Sequence, residues 1–375
     1  MQEAAQEERE EKEEGEAVIK MPLVNMSGAA TLAAAEGLAA LGVGDTVRAR
    51  QKYAEAGAIL EAEMKVRHGG GEKQLLRFLA ATQYYKGGDY QKAQDLAHKI
   101  DARVLPKNVR GLLPQFLKDV KLRTSPGYVA GIRQTLLKLW QQKQPAESLA
   151  VLQEHPYVLP PVSLAFVRAA LCGELANFRA AALFFANAIR QAPDDVGLVL
   201  TTAAQPLLLR SQDRLAEAWE YAQCQVELVP HPVTFVTASI ICYHRACTAH
   251  AEDRKTHFAE QLAFVEKAWD VYQKLDLMQQ NHPDMRAYVA FGLELAGTMG
   301  LRQGNKQRGK EVWEQAVKLG ANASHPWKQR ASVADPSEEV SQAVEAWNLS
   351  ERETHFFTRF TPEPSIRQQL EVVGA

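Results

Sequence analysis

The sequence predicts an all-α chain, a solenoid of stacked antiparallel helix pairs. Three observations predict it. Residues 163–193 read SLAFVRAALCGELANFRAAALFFANAIRQAP, two short helical segments joined by a tight turn. Pro193 closes the second, because proline lacks an N–H and clashes one turn back. The same plan recurs along the chain. Ala and Leu, both good helix formers, dominate its apolar content.

Composition narrows the function classes. The formal net charge is -2, whereas a dedicated nucleic-acid binder carries a basic face. No apolar run reaches the roughly 18 residues of a membrane span, so no membrane insertion is expected. The N-terminus is acidic rather than basic then apolar, so it does not read as a secretory signal. Four cysteines, Cys172, Cys224, Cys242 and Cys247, are too few for a disulfide scaffold in a chain this long. A cytoplasmic location is expected.

In chain order, residues 1–16 hold eight Glu against Arg9 and Lys12, a self-repelling run expected to form a disordered acidic tail or a frayed helix. With a linker broken by Pro22, this tail occupies residues 1–28. Residues 29–322 form the predicted solenoid. Its recurring signal is a Gly/Asn-Asp-aromatic turn, a small residue three positions on, and an apolar residue four further.

Gly44-Asp45-Thr46 leads to Ala49, Tyr53 and Ala56, and Gly88-Asp89-Tyr90 to Ala93 and Ala97. Ala176-Asn177-Phe178 leads to Ala181, Phe185 and Ala188, and Gly304-Asn305-Lys306 to Gly309, Trp313 and Ala316. Gly or Asn permits the left-handed turn. The small residue lets two helices approach, and the large one inserts into its neighbour. Ser148, Ala218 and Ala268 anchor three less regular units.

Pro106, Pro114 and Pro126 bracket LLPQFLKDV, read as an extra short helix. Residues 251–256, AEDRKT, read as a polar loop inside one pair. From residue 323 the pattern changes. Asp335-Pro336-Ser337-Glu338 is a helix start, followed by an apolar stripe of Val340, Ala343, Val344 and Trp347. A second start at Ser350 and Glu353 leads to Phe356 and Phe357. Residues 323–375 are therefore read as a helical C-terminal cap with a tail, since a solenoid end exposes apolar surface unless covered.

These turns and anchors resemble the tetratricopeptide repeat family, stacked helix pairs forming a right-handed superhelix. The family's small first-helix residue has counterparts in Gly37, Ala81, Ala169 and Gly297, and its larger one in Tyr84 and Cys172. The resemblance covers about 290 residues and about seven pairs. Anchor gaps of 44, 55, 33, 37, 50 and 41 depart from the family's regular repeat, and its first-helix tryptophan is absent.

The resemblance implies a non-catalytic interaction scaffold. Its concave groove, lined by first helices, would hold a protein or peptide partner. The family's contact register implies groove residues Phe78, Thr82, Tyr85, Phe166, Glu174, Leu207, Arg210, Glu294, Thr298 and Arg302. The first helices LAAAEGLAALGV and SLAFVRAALCGE lack the Lys/Asn set that grips a C-terminal carboxylate.

His244, Cys247 and His250 are three residues apart, with His257 beyond, and offer donors that suit zinc. The plain reading packs Cys247 in the core with histidines at its rim. Gly69-Gly70-Gly71-Glu72-Lys73 lacks the Walker spacing and reads as a flexible linker. No nucleophile elbow occurs. No catalytic residue, cofactor or metal is therefore expected. The alternatives are a ligand- or metal-binding sensor or enzyme near Cys247 and His250, and a structural subunit of a larger complex.

Overall fold

A computed structural model describes residues 26–67, 69–302 and 306–320, with Phe360, Ile366, Arg367 and Leu370 near the C-terminus. The acidic tail, the Gly304-Asn305 turn and the helix starts at Asp335 and Ser350 lie outside the described residues. Among the described residues every regular element is helical, and successive helices pack on their chain neighbours. The chain divides into two compact units, residues 1–131 and 132–375.

Unit 1 contains α1 (Gly28–Gly42), α2 (Thr46–Val66), α3 (Gly70–Lys86) and α4 (Tyr90–Ala97). A 3-10 turn (Ala102–Val104), α5 (Lys107–Arg110) and α6 (Leu113–Arg123) follow. α7 (Tyr128–Gln141) runs across the boundary. Unit 2 continues with α8 (Pro145–Glu154), α9 (Pro161–Glu174), α10 (Phe178–Gln191), α11 (Val196–Ser211) and α12 (Leu215–Leu228). α13 (Pro232–Thr248), α14 (Ala251–Tyr272), α15 (Leu277–Asn281), α16 (Pro283–Arg302) and α17 (Lys306–Lys318) complete it.

The turn motif works as its chemistry requires. Asp45, Asp89, Asn177 and Asp195 each accept a backbone N–H at the start of the following helix, satisfying one of its orphan donors. Gly44 and Gly88 adopt φ of 81° and 76°, open to glycine without a steric cost. In the third turn the left-handed residue is Ala176, at φ 56°, while Asn177 is the N-cap. Lys143 in the turn before α8 and Asp213 in the turn before α12 take the same role, at 53° and 60°.

The small anchors Ala49, Ala93, Ser148, Ala181, Ala218, Ala268 and Gly309 are all buried. Glycine allows the closest approaches. A Cβ on Gly57 would meet the Tyr84 ring at 2.8 Å, and one on Gly297 would meet Gly309 backbone oxygen at 3.0 Å.

Two local expectations change and a third holds. Residues 251–256 are not a loop but the first turns of α14, where Glu252 and Asp253 complement the helix N-terminus. Gly69 is the N-cap of α3, and Gly70 and Gly71 are helical rather than linker. The proline-bracketed insert holds the expected short helix, α6, and adds the four-residue α5 before it. Its Phe116 and Val120 join the core of unit 1.

In unit 2 three first helices pack serially, α11 on α13 and α13 on α16. The second helices α10, α12, α14 and α17 pair with α9, α11, α13 and α16 respectively. One hydroxyl joins α11, α13 and α16. Thr237 on α13 donates to the Ala203 carbonyl on α11 at 3.0 Å and lies 2.6 Å from the Tyr288 hydroxyl on α16. Gln225 on α12 donates to the Thr202 carbonyl on α11 at 2.6 Å. Such fully buried polar contacts fix register, because leaving either partner unpaired is costly.

Candidate functional site

The groove register draws on first helices, so their side chains are the first test of a site. In unit 1, Phe78 is buried edge-on against Phe116 of the insert, ring centres 5.4 Å apart. Thr82 is buried and its hydroxyl donates to the Phe78 carbonyl at 2.9 Å. Tyr85 is half-buried, and its hydroxyl donates to the Asp119 carboxylate.

In unit 2, Phe166 packs edge-on against Phe185 at 5.8 Å. Phe166, Leu207 and Glu294 are all buried, Glu294 to 2% exposure. Glu174 is exposed at the end of α9 and Arg210 is half-buried. Thr298 and Arg302 lie on α16, with side chains outside the described set.

The regular family register would put all ten on an open wall. Instead Phe78, Thr82, Phe166, Leu207 and Glu294 are held inside the packing. For Phe78 the cause is visible. The insert that lengthens the gap between Ala93 and Ser148 folds back through Phe116 and covers it. A spacing rule taken from equal repeats has no term for such an insert.

Near Tyr85 the structure assembles a group that sequence spacing did not reveal. The Arg123 guanidinium lies 5.0, 5.7 and 5.8 Å from the ring centres of Tyr85, Tyr90 and Tyr128. Its Nε is 3.5 Å from the Asp119 carboxylate. Cation–π attraction and the carboxylate together hold a largely buried charge. Burial pushes the Tyr85 phenol above its usual range, the Arg123 charge opposes this, and the bond to Asp119 adds to it. The cluster thus ties α3, α4 and the start of α7 to α6 around one buried cation. Only the i, i+4 pair Asp119 and Arg123 was open to sequence reading.

The zinc suspects are dispersed. Cys247 is exposed near the end of α13, His250 is the exposed N-cap of α14, and His244 is half-buried. His257 turns to Glu260, with Nδ1 3.3 Å from its carboxylate. Glu260 also engages Arg245 at 3.4 Å and accepts from the Cys242 thiol at 3.9 Å. Among the described residues no group of three or more His, Cys, Asp or Glu is placed to hold a metal ion.

The chain reverses at Ala249 and His250, so the helical spacing that would have aligned these side chains breaks there. Burial, reinforced by Glu260, pushes the Cys242 thiol up to about 12, and burial takes Cys172 to about 11. Both remain protonated thiols near neutral pH, packed as core rather than poised as nucleophiles.

The described apolar surface is concentrated in unit 1. Leu32 and Leu38 of α1 are 62% and 66% exposed, and Val43 and Val47 follow in the turn and in α2. The outward positions 28, 29, 31, 32, 35, 38, 39 and 42 are all uncharged. Among the described residues no helix is long and apolar enough to cross a membrane. No family model and no curated protein matches this chain.

Proposed function

We propose that the chain is a non-catalytic protein–protein interaction scaffold, a divergent right-handed tetratricopeptide-like solenoid whose inner helices recognise an extended peptide or a helix of a protein partner. The serial packing of α11, α13 and α16, tied by the single hydroxyl of Thr237, carries this reading. A row of parallel inner helices backed by a row of outer ones makes a long continuous surface. Each unit touches only its neighbours, so the surface lengthens with every pair. Such surfaces suit a helix laid in a groove.

Affinity capture with the full chain, followed by cross-linking mass spectrometry, tests the reading. A single partner cross-linked to α9, α11, α13 and α16 supports it. A tightly held small ligand with no protein partner overturns it.

The exposed apolar face of α1 favours a second reading, a subunit of a larger complex. Uncharged surface of this kind marks an interaction site in a water-soluble unit. Partner cross-links confined to α1 and its following turn favour this reading over the groove.

A further inference from the structure

We propose that the exposed face of the insert in unit 1, residues 102–123, is a docking surface for an acidic segment of a partner protein in which carboxylates alternate with aliphatic side chains. The surface is made by different side chains from those of the groove, and it holds whether or not that groove is used.

The first observation is a division of the insert into two faces. Leu105, Val109, Leu113, Phe116 and Val120 are buried in the core of unit 1. The last three follow one another at helical spacing, one stripe of α6. The other side is turned to water. Among the exposed residues of 102–123, Arg103, Lys107, Arg110, Lys118 and Lys121 are cations and none is an acid. Asp119, the one acid in the stretch, is half-buried against Tyr85 and Arg123. The chain as a whole has a net charge of -2, so this excess of positive charge is local.

The second observation is a shortage of countercharge. Elsewhere on the molecule surface cations meet carboxylates. Lys92 lies 2.9 Å from Glu61, Arg67 3.2 Å from Glu72, and Arg179 2.9 Å from Glu227. Among these five cations only Arg103 does so, 3.3 Å from Asp101. Arg110 instead donates to the Arg103 and Leu105 carbonyls at 2.7 and 3.0 Å. Arg77 of α3 donates to the Lys99 carbonyl at 2.5 Å. A neutral carbonyl satisfies an N–H but supplies no opposite charge. Through these bonds Arg77, Lys99, Arg103 and Arg110 gather around residues 99–105. Lys107 and Arg110 are three apart on α5, as Lys118 and Lys121 are on α6, which sets each pair on one side of its helix. Like charges so placed repel, and an anionic partner relieves that repulsion.

What accompanies the charge identifies the partner class. Val104 and Leu122 are 47% and 57% exposed among the cations. Aliphatic side chains beside cations complement a segment with aliphatic side chains beside carboxylates. Nucleic acid fits less well. Single strands stack on exposed aromatic rings, whereas Phe116 and the neighbouring Tyr128 are buried. A membrane surface fits less well too. A helix lying in it buries its apolar face there, whereas the apolar stripe of α6 is committed to the core.

The test titrates the full chain against fluorescent peptides and reads binding by anisotropy. A peptide of alternating Glu and Leu should bind, and Lys107→Glu/Lys118→Glu/Lys121→Glu should weaken it by roughly tenfold or more. The three lysines are exposed, so the variant should stay folded. If circular dichroism shows otherwise, Lys107→Gln/Lys118→Gln/Lys121→Gln takes its place, with a loss of roughly threefold or more. A Glu–Ser peptide of equal charge should bind roughly threefold more weakly than the Glu–Leu peptide, because Val104 and Leu122 lose their partners.

Unchanged binding in the folded variant, or equal binding of the two peptides, overturns the proposal. Tighter binding of a single-stranded RNA of equal charge, or of phosphatidylserine vesicles, overturns it in favour of that partner. Carbodiimide, which joins lysine amines to carboxylates in direct contact, then locates the ion pairs. Amide links from Lys107, Lys118 or Lys121 to the peptide support the proposal. The same lysines linked to Glu residues of 1–16, with the peptide excluded, overturn it in favour of the chain's own acidic tail.

Discussion

α1 and α16 begin alike and end in opposite environments. Each is a first helix of a pair, and each has a glycine where its partner approaches, Gly37 against Tyr53 and Gly297 against Gly309 and Trp313. Neither shows a clean polar face. α1 carries Glu36 as its one charge, and α16 places Glu294 in the middle of an apolar run. Yet α1 packs mainly on α2 and leaves Leu32 and Leu38 in the open, whereas residues 288–297 of α16 are buried throughout. Helix composition therefore says that both want cover, and only the neighbours say which one has it.

The largest expected effect tests that contrast directly. Phe291→Ala on α16 should destabilise unit 2 by about 3–5 kcal/mol, because Phe291 is 2% exposed and the cavity cannot fully collapse. Leu32→Ala on α1 should fall within about 0.5 kcal/mol of wild type. Urea denaturation followed by circular dichroism reads both, and equal losses would erase the distinction.

Next in size is Gly292→Ala on the same helix. Its Cβ would lie 2.6 Å from Cγ1 of Val236 on α13. Overpacking should cost about 1–3 kcal/mol, despite the roughly 1 kcal/mol that alanine gains in helix propensity. A neutral or stabilised variant would show that α13 and α16 are loosely joined.

A pH effect of about 1–2 kcal/mol should come from His231, the N-cap of α13. Burial lowers its pKa to about 4, and its Nδ1 accepts the Val233 N–H at 3.4 Å. Protonation would remove that acceptor. The folded pKa lies below the unfolded one, so the stability is fully present above about pH 6.5 and is lost as pH falls toward 4. Residue 231 as a whole is half-buried, and solvent screening limits the effect to that range. His231→Asn retains a capping oxygen and should flatten the stability profile between pH 4 and 6.5.

The smallest effect belongs to the turn before α10. Ala176 sits at φ 56°, where a Cβ costs roughly 1–2 kcal/mol, part of which glycine returns as unfolded-state entropy. Ala176→Gly should therefore stabilise by up to about 1 kcal/mol. Thermal unfolding of the two chains side by side would show it, and a lower midpoint for the glycine variant would count against the strain.

The helix pairs were legible because their signals are local. Asp45, Asp89 and Asn177 cap the helices that follow them, and the anchors from Ala49 to Gly309 are buried where small residues must be. The groove was less legible. Phe78 and Leu207 hold the predicted register positions but are buried, because side-chain direction alone does not reveal what comes to lie on top. The Arg123 clasp draws Tyr85, Tyr90 and Tyr128 from three segments, and no spacing rule links residues so far apart in the chain.

The sequence by itself determined the helices, their caps and the close contacts between paired helices. All of these depend on residues within about one turn of each other, or on small side chains at fixed offsets from a turn. Only the tertiary structure decided which apolar faces stay in water. It left Leu32 and Leu38 open, buried Glu294, and set Ile366 and Leu370 inside unit 2. The physical reason is that burial is a property of the neighbour. The hydrophobic effect acts on area removed from water and carries no direction, so a chain can encode the demand for cover without encoding, in any one stretch, what supplies it.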